Sequence, residues 1–268
     1  MSDTPFLSVI TVCFNSGKTI GDTLESLKNQ TCDDFESIVI DGGSSDNTSE
    51  IVEKFGDFVN TFVSEPDQGI YDAMNKGIKL AKGRYLAFLN SDDAYLPNTI
   101  SLVRAHARST WPDIIYGKIK KERLLGREVL TRLESPDLKL MPETMGIFHP
   151  ATFVHRDLFE QFGPYDLRFK QAADYHWLLR AFLAGTNFSY LEEVLAIFRI
   201  GGISNLSCET YREASQIQRE LKTGHHESMD DLYLKCLNKQ KKNKMLFRLA
   251  KWPVLRHIYH MKIKSRWR

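Results

Sequence analysis

Short apolar runs and helical periodicities take turns along the first half of the chain. Leu7-Ser-Val-Ile-Thr-Val-Cys13 is a β-branched run halted by Asn15-Ser-Gly17, and it predicts a strand. Ile20, Leu24 and Leu27 then recur at the spacing of one helix face. Ser37-Ile-Val-Ile40 predicts a second buried strand, closed by Asp41-Gly-Gly-Ser-Ser-Asp46. Asp46 stands where it can cap a helix with Ile51, Val52 and Phe55 as its apolar stripe. Phe58 to Val63 predicts a third strand, residues 68–82 a helix through Ile70, Met74, Ile78 and Ala81, and Tyr85 to Leu89 a fourth strand running into Asn90-Ser-Asp-Asp93.

Strands separated by helices of this length imply an α/β fold, with a mostly parallel sheet covered on both faces. Ligands in such sheets sit beyond the carboxyl ends of the strands. Three polar clusters fall there: Phe14-Asn15, Asp41-Gly-Gly and Asn90-Ser-Asp-Asp93. The middle is less regular. It predicts strands at Ile114–Lys118, His149–His155 and Val194–Phe198, a hairpin around Gly126, a loop over 134–148, a short helix from Asp157 to near Gly163, and a stronger helix over Ala172–Leu183 stopped by Gly185.

Charge changes the picture at one end. The chain carries a formal +2, yet residues 239–268 hold eleven Lys or Arg and no acid, so the body is acidic. Leu246, Phe247, Leu249, Trp252, Leu255, Ile258 and Tyr259 interleave with those cations, as in a segment lying on a membrane surface; a basic helix packed on the acidic body is the alternative. An acidic body argues against a nucleic-acid partner. No apolar run reaches the roughly 20 residues that span a bilayer, and no secretory leader pattern opens the chain. Cys13, Cys32, Cys208 and Cys236 are scattered without a C-x-x-C pair. Together these features lead us to expect a cytoplasmic protein, peripheral on the inner membrane face, with reduced thiols that fill space.

The polar clusters suggest chemistry. Adjacent Asp92 and Asp93 at a strand's end repel unless a cation intervenes, and Mg²⁺ or Mn²⁺ commonly bridges one or two carboxylates to substrate phosphates. A plain solvated turn is the competing reading. Asp41 beside Gly42 and Gly43 can accept from a nucleotide base or ribose, or simply end a turn. Asp174 falls near the first turn of a helix packed through Trp177, Leu178 and Leu179. It reads either as a helix-start charge or as a general base beside an acceptor pocket. His149, His155, Tyr71, Tyr116 and Tyr165 are as well explained by packing as by sugar contact.

In this order the clusters resemble glycosyltransferase family 2, the large inverting family of GT-A fold. The stretches that carry the resemblance are Ser8-Val-Ile-Thr-Val-Cys-Phe-Asn15, Ile40-Asp-Gly-Gly-Ser-Ser-Asp-Asn-Thr48, Asp67-Gln-Gly-Ile-Tyr-Asp-Ala-Met-Asn-Lys-Gly-Ile78, Gly83-Arg-Tyr-Leu-Ala-Phe-Leu-Asn-Ser-Asp-Asp93 and Ala173-Asp-Tyr-His-Trp-Leu-Leu-Arg180. The third is similar to members that build bacterial surface polysaccharides, such as O-antigens. The resemblance implies a GT-A domain over 1–205, with a nucleotide-sugar half to about 118 and an acceptor half after it, and a basic helical extension over 206–268.

It implies that Val12 and Phe14 line the base pocket, that Asp41 accepts from uracil, and that Asp67, Asn75, Ser91 and Asp92 complete the nucleotide-sugar site. Asp92 and Asp93 would hold Mn²⁺ or Mg²⁺, and Asp174 would be the catalytic base. Asn90 stands where the family's D-x-D motif has its first Asp, and Ala173 where a Glu precedes the base. The implied reaction moves a sugar, from a UDP-sugar in preference to a GDP-sugar, onto a glycan hydroxyl, and the basic tail adds the expectation that the glycan is carried on a polyprenyl diphosphate lipid. A metal-dependent nucleotidyltransferase and a non-catalytic sugar-nucleotide-binding subunit are the alternatives.

Overall fold

The computed structural model describes residues 4–126, 128–200 and 207–249, with side chains to Lys241. Its first half is built as the patterning predicts: β1 (Leu7–Cys13), α1 (Ile20–Lys28), β2 (Phe35–Asp41), α2 (Thr48–Glu53), β3 (Thr61–Ser64), α3 (Ile70–Leu80) and β4 (Tyr85–Phe88). A two-residue β5 (Ala94–Tyr95) and α4 (Thr99–Thr110) come next. The second half comprises β6 (Ile114–Leu125), β7 (Glu128–Glu134), β8 (Thr152–His155), α5 (Asp157–Phe162), α6 (Ala173–Leu183), β9 (Phe188–Arg199), α7 (Glu209–Glu220) and α8 (His226–Leu249).

The strands form one sheet in the order β3-β2-β1-β4-β8-β6-β9-β5, with β7 hydrogen-bonded to β6. β3, β2, β1 and β4 run parallel, so Cys13, Asp41 and the segment after Phe88 emerge at one edge. β8 enters antiparallel between β4 and β6, while β6 and β9 are parallel again. Period-2 alternation sorts the apolar residues onto two faces. Ile10, Val12, Ile38 and Ile40 join α3, α5, α6 and α7 in one core; Leu7, Val9 and Val39 join α1 and α4 in the other.

Several boundaries differ from the expectation. Phe55 and Phe58 pack against the second core around a 3-10 turn at Gly56–Phe58, so the third strand starts only at Thr61. Asp46 sits one residue ahead of the helix-capping position, which Asn47 occupies, and accepts from Thr48 N–H. β6 and β9 are longer than their apolar runs because their outer residues pair with each other and with β7, and the 118/119 division falls inside β6. His149–Ala151 is a 3-10 turn ahead of β8.

The expectation of four reduced thiols is corrected. Cys13 and Cys32 are free and buried, but Cys208 and Cys236 form a disulfide that ties α7 to α8. Their separation of 28 residues matches no local motif, and only the packing of the two helices brings them together. Gly201 to Ser204 and the tail's Trp252, Leu255, Ile258 and Tyr259 lie outside the described residues. Among the described residues no helix is long and apolar enough to cross a membrane.

Candidate active site

At the tip of β1 the chain turns through Asn15, whose φ of +50° is in the left-handed region. The turn is held from β2's tip: Asn15 N–H donates to Ser44 Oγ (2.7 Å), and Asn15 Oδ1 accepts from Ser45 N–H (2.9 Å). Phe14 is left 60% exposed, an aromatic ring presented at the sheet's carboxyl edge. Val12 is buried within the core and presents little surface to a ligand.

Asp41 is fully buried, and its oxygens accept from Ser44 Oγ, Ser44 N–H (3.0 Å), Ser64 Oγ (2.7 Å) and the Cys13 thiol. Burial opposes its charge, but the serine bonds outweigh burial and hold the carboxyl below its ordinary range. Burial, joined by the same carboxylate, pushes the Cys13 thiol well up, so this cysteine is an inert apolar filler. Asp41 therefore stabilises the turn from beneath. The carboxylate of Asp67 lies where a side chain on Gly42 would point, so a larger residue there would have to displace that carboxylate. Asp67 in turn accepts from Gly69 N–H at 2.8 Å.

Asn75, expected in the sugar-nucleotide site, is buried, and its amide is used within the protein. Nδ2 donates to Tyr165 O (2.9 Å) and Oδ1 accepts from Tyr165 N–H (2.9 Å). It splices α3 to the segment ahead of α6. Ser91 Oγ donates to Ser16 Oγ at 2.8 Å, joining the tips of β1 and β4.

The Asn90–Asp93 turn carries strong electrostatics. Asp92 is half-buried, and burial raises its carboxyl despite the Arg199 charge. Asp93 is fully buried and raised well above its ordinary range, first by burial and then by Asp92. Its Oδ1 accepts from Arg199 N–H (3.0 Å), and its carbonyl accepts from Thr23 Oγ1 (2.7 Å). Asp93 Oδ2 and Asn90 Oδ1 are buried with no hydrogen-bond partner among the described residues. Orphaned oxygens beside two destabilised carboxylates suit a hard divalent cation, which often takes only one or two protein carboxylates and leaves the rest to phosphate and water. Among the described residues no group of three acidic, His or Cys side chains is poised to hold a metal unaided. Arg199, unremarked in the sequence, reaches this turn as well: its Nη1 approaches Asp92 O (3.4 Å) and Asp22 (3.8 Å).

Asp174 lies in the first turn of α6 and is partly exposed. Its Oδ1 accepts from Tyr71 Oη (2.7 Å) and from Tyr175 N–H (2.9 Å). Tyr71 is in the first turn of α3, directly after β3, so the bond places Asp174 at the sheet edge that carries Asp41 and Asp92. Burial and the neighbouring carboxylate raise the Tyr71 phenol far above its usual value, which keeps it a donor. Tyr165 Oη pairs with His149 Nε2 (3.0 Å), and the imidazole stacks on Phe88. Burial lowers the His149 pKa, with Asp174 working against the shift. His176 is buried against Phe169, a packing residue.

The profile of Glycosyl transferase family 2 matches residues 8–173. The chain belongs to glycosyl transferase family 2. A PGL/p-HBAD biosynthesis glycosyltransferase of Mycobacterium tuberculosis is 34% identical over 209 residues, covering 75% of this chain and 80% of the relative. Glycosyltransferase AglE of Haloferax volcanii is 29% identical over 207 residues, covering 72% of this chain and 67% of its own. The fold is shared with S. aureus TarS 1–349 in complex with UDP, at a TM-score of 0.65 and 24% identity over 87% of this chain and 71% of that one. Full TarS is longer, and the chain spans 39% of it. The mannosyltransferase PcManGT of Pyrobaculum calidifontis, in complex with GDP-Man and Mn²⁺, gives a TM-score of 0.62 at 15% identity and covers 98% of this chain and 85% of that one. The family 2 sheet, with helices on both faces, is the α/β arrangement the patterning predicts.

Proposed function

We propose that this family 2 glycosyltransferase transfers a sugar from a nucleoside-diphosphate sugar to a glycan hydroxyl by direct, inverting displacement, with Asp174 as general base. The observation that carries this reading is the Tyr71–Asp174 bond. It presents an aligned carboxylate at the edge where Asp92 and Asp93 form a cation-hungry turn. A UDP-sugar is the favoured donor and a GDP-sugar the alternative, since the fold is shared both with TarS in complex with UDP and with PcManGT in complex with GDP-Man. In this reading the exposed Phe14 ring and the Asp67 carboxylate over Gly42 border the base, and Asp41 shapes the turn that supports them.

Asp174 Oδ2, which takes no hydrogen bond from a described residue, receives the proton of the attacking hydroxyl. The hydroxyl oxygen forms a bond to the anomeric carbon as the carbon–oxygen bond to the diphosphate breaks on the opposite face. The electron pair leaves with the nucleoside diphosphate, and configuration inverts. Asp92, with Asp93 behind it, would hold Mn²⁺ or Mg²⁺, which offsets charge growing on the departing diphosphate. Tyr71 keeps the base oriented throughout.

The acceptor we propose is a glycan on a lipid diphosphate, in surface-glycan synthesis at the inner membrane face. This is supported by the basic, aromatic-rich sequence after residue 239. A screen of UDP- and GDP-sugars for metal-dependent release of nucleoside diphosphate tests the activity. A protein that binds UDP with Mn²⁺ but releases none from any donor is a binding subunit instead.

A further inference from the structure

Helix α7 lies beyond the residues that match the family profile, yet it grips the segment from which Asp174 projects. Glu213, in the middle of α7, is only 6% exposed. Its carboxylate accepts three successive main-chain N–H groups: Lys170 on Oε1 (2.9 Å), then Gln171 (2.8 Å) and Ala172 (3.0 Å) on Oε2. These residues lead directly into α6, where Ala173 is the first residue and Asp174 the second. Ala172, at the helix-capping position, has no side chain able to cap, so the anion from α7 meets the positive end of α6. A buried carboxylate is costly unless its oxygens are bonded, and here three N–H groups bond them.

The clamp is itself anchored. Gln218, further along α7, donates through Nε2 to Tyr175 Oη (3.0 Å) and to Glu143 O (2.8 Å). Tyr175 Oη donates to Met141 O (3.0 Å), and Arg168 pairs with Glu220 at 3.2 Å. The start of α6 is thus tied on both sides to one helix of the C-terminal extension.

We infer that Glu213 is a positioning residue for Asp174, fixing the start of α6 so that the base meets the acceptor hydroxyl; this rests on Asp174 being the base. A reacting group displaced by about 1 Å can cost about 10²-fold in rate. Glu213→Gln keeps size and one acceptor oxygen but turns an amide NH₂ toward a main-chain N–H, so at least one clamp bond is lost.

The test uses the full chain with Mn²⁺ and an equimolar mixture of UDP-glucose, UDP-galactose, UDP-GlcNAc and GDP-mannose, reading total nucleoside diphosphate released. UDP affinity and amide exchange at residues 170–174 are measured on the same preparations. Glu213→Gln is expected to lower turnover by about 10–100-fold, to speed exchange at 170–172, and to leave UDP affinity unchanged. Introduced into Asp174→Asn, it is expected to cost little more, because both act through one carboxylate. Should Glu213→Gln not fold, Glu213→Asp, with its carboxylate one methylene back, carries the same comparison. Faster exchange with normal turnover, or an undiminished loss in the Asp174→Asn background, would overturn the inference. Near-normal turnover of Asp174→Asn alone, or a wild type inert on every donor, would instead remove the base reading on which it stands.

Discussion

The Tyr71 hydroxyl donates to Asp174 Oδ1 at 2.7 Å across 103 residues of sequence, joining the first turn of α3 to the first turn of α6. One oxygen of the carboxylate is thereby held, while the other takes no hydrogen bond from a described residue. Asp174→Asn keeps the shape and loses the basicity, so sugar transfer should fall about 10²–10⁴-fold with UDP binding intact. Tyr71→Phe removes only the hydroxyl and should cost about 10–100-fold, as expected for a hydrogen bond to a charged group. Single-turnover transfer and UDP calorimetry on one preparation check both. Normal transfer by Asp174→Asn would leave it a helix-start charge worth about 0.3–1 kcal/mol.

Metal removal should silence the enzyme. EDTA is expected to stop nucleoside diphosphate release, and Mn²⁺ or Mg²⁺ to restore it. Asp92→Ala should abolish release even with added metal. Asn90→Asp places a third carboxylate at the turn and should tighten Mn²⁺ binding modestly, read by titration of the apoprotein. Undiminished turnover in EDTA would exclude the role given to Asp92.

Asp41 links the fold to pH. Its folded carboxyl lies below the ordinary 3.8, with burial opposed and outweighed by the serine bonds. A depressed folded value means the stabilisation is fully present above 3.8 and is lost as pH falls through the lower folded value. Asp41→Asn should therefore unfold about 1–3 kcal/mol more easily at pH 7. The gap from wild type should narrow in acid. Urea titrations at pH 7 and in acid compare them, and a gap that does not change with pH would contradict this.

The Cys208–Cys236 bond closes a loop whose ends are 28 residues apart, and such cross-links typically contribute about 2–4 kcal/mol. Cys236→Ser should lower the melting temperature, and reductant should bring wild type to the same value. Because Cys208 directly precedes the helix that carries Glu213, the same variant should also speed amide exchange at 170–172. A wild type indifferent to reductant would mean the two thiols stay unpaired.

Basic residues near an anionic lipid surface contribute roughly 1 kcal/mol each, screened by salt. Removing residues 250–268 should release the protein from phosphatidylserine vesicles at low salt and leave donor hydrolysis intact. Co-sedimentation at two salt concentrations measures it. Failure of the full chain to bind at low salt would end the membrane reading.

β1, β2 and α3 were legible in the sequence because their apolar residues recur at unbroken periods, and burial of Leu7 to Cys13 bears that out. β6 and β9 were under-read because Lys118, Lys120 and Glu122 interrupt the pattern while still pairing with β9. Asp92 and Asp93 were visible as adjacent charges at a strand's end. Asp174 alone could not be told from a helix-start charge; the Tyr71 contact, made across 103 residues, is an observation that no sequence pattern offers. The sequence carries no sign of the Asn75–Tyr165 pairing, whose two partners stand 90 residues apart. Glu213 and Arg199 carry no local signal, since the side chain of each bonds main chain far from it in sequence.

The splice between Asn75 and Tyr165 also bears on how such an enzyme can change. Along with the Tyr71–Asp174 bond and the β4–β8 pairing, it stitches the chain ahead of β5 to the chain beyond β7. A chimera with its breakpoint between β5 and β7 would draw the two sides of all three contacts from different chains; the Asn75 amide needs only main-chain groups that any residue but proline supplies, whereas the Tyr71 phenol needs the Asp174 carboxylate itself. A swap of halves with a relative therefore has to match one side-chain pair across the joint, and the other two contacts rest on main chain.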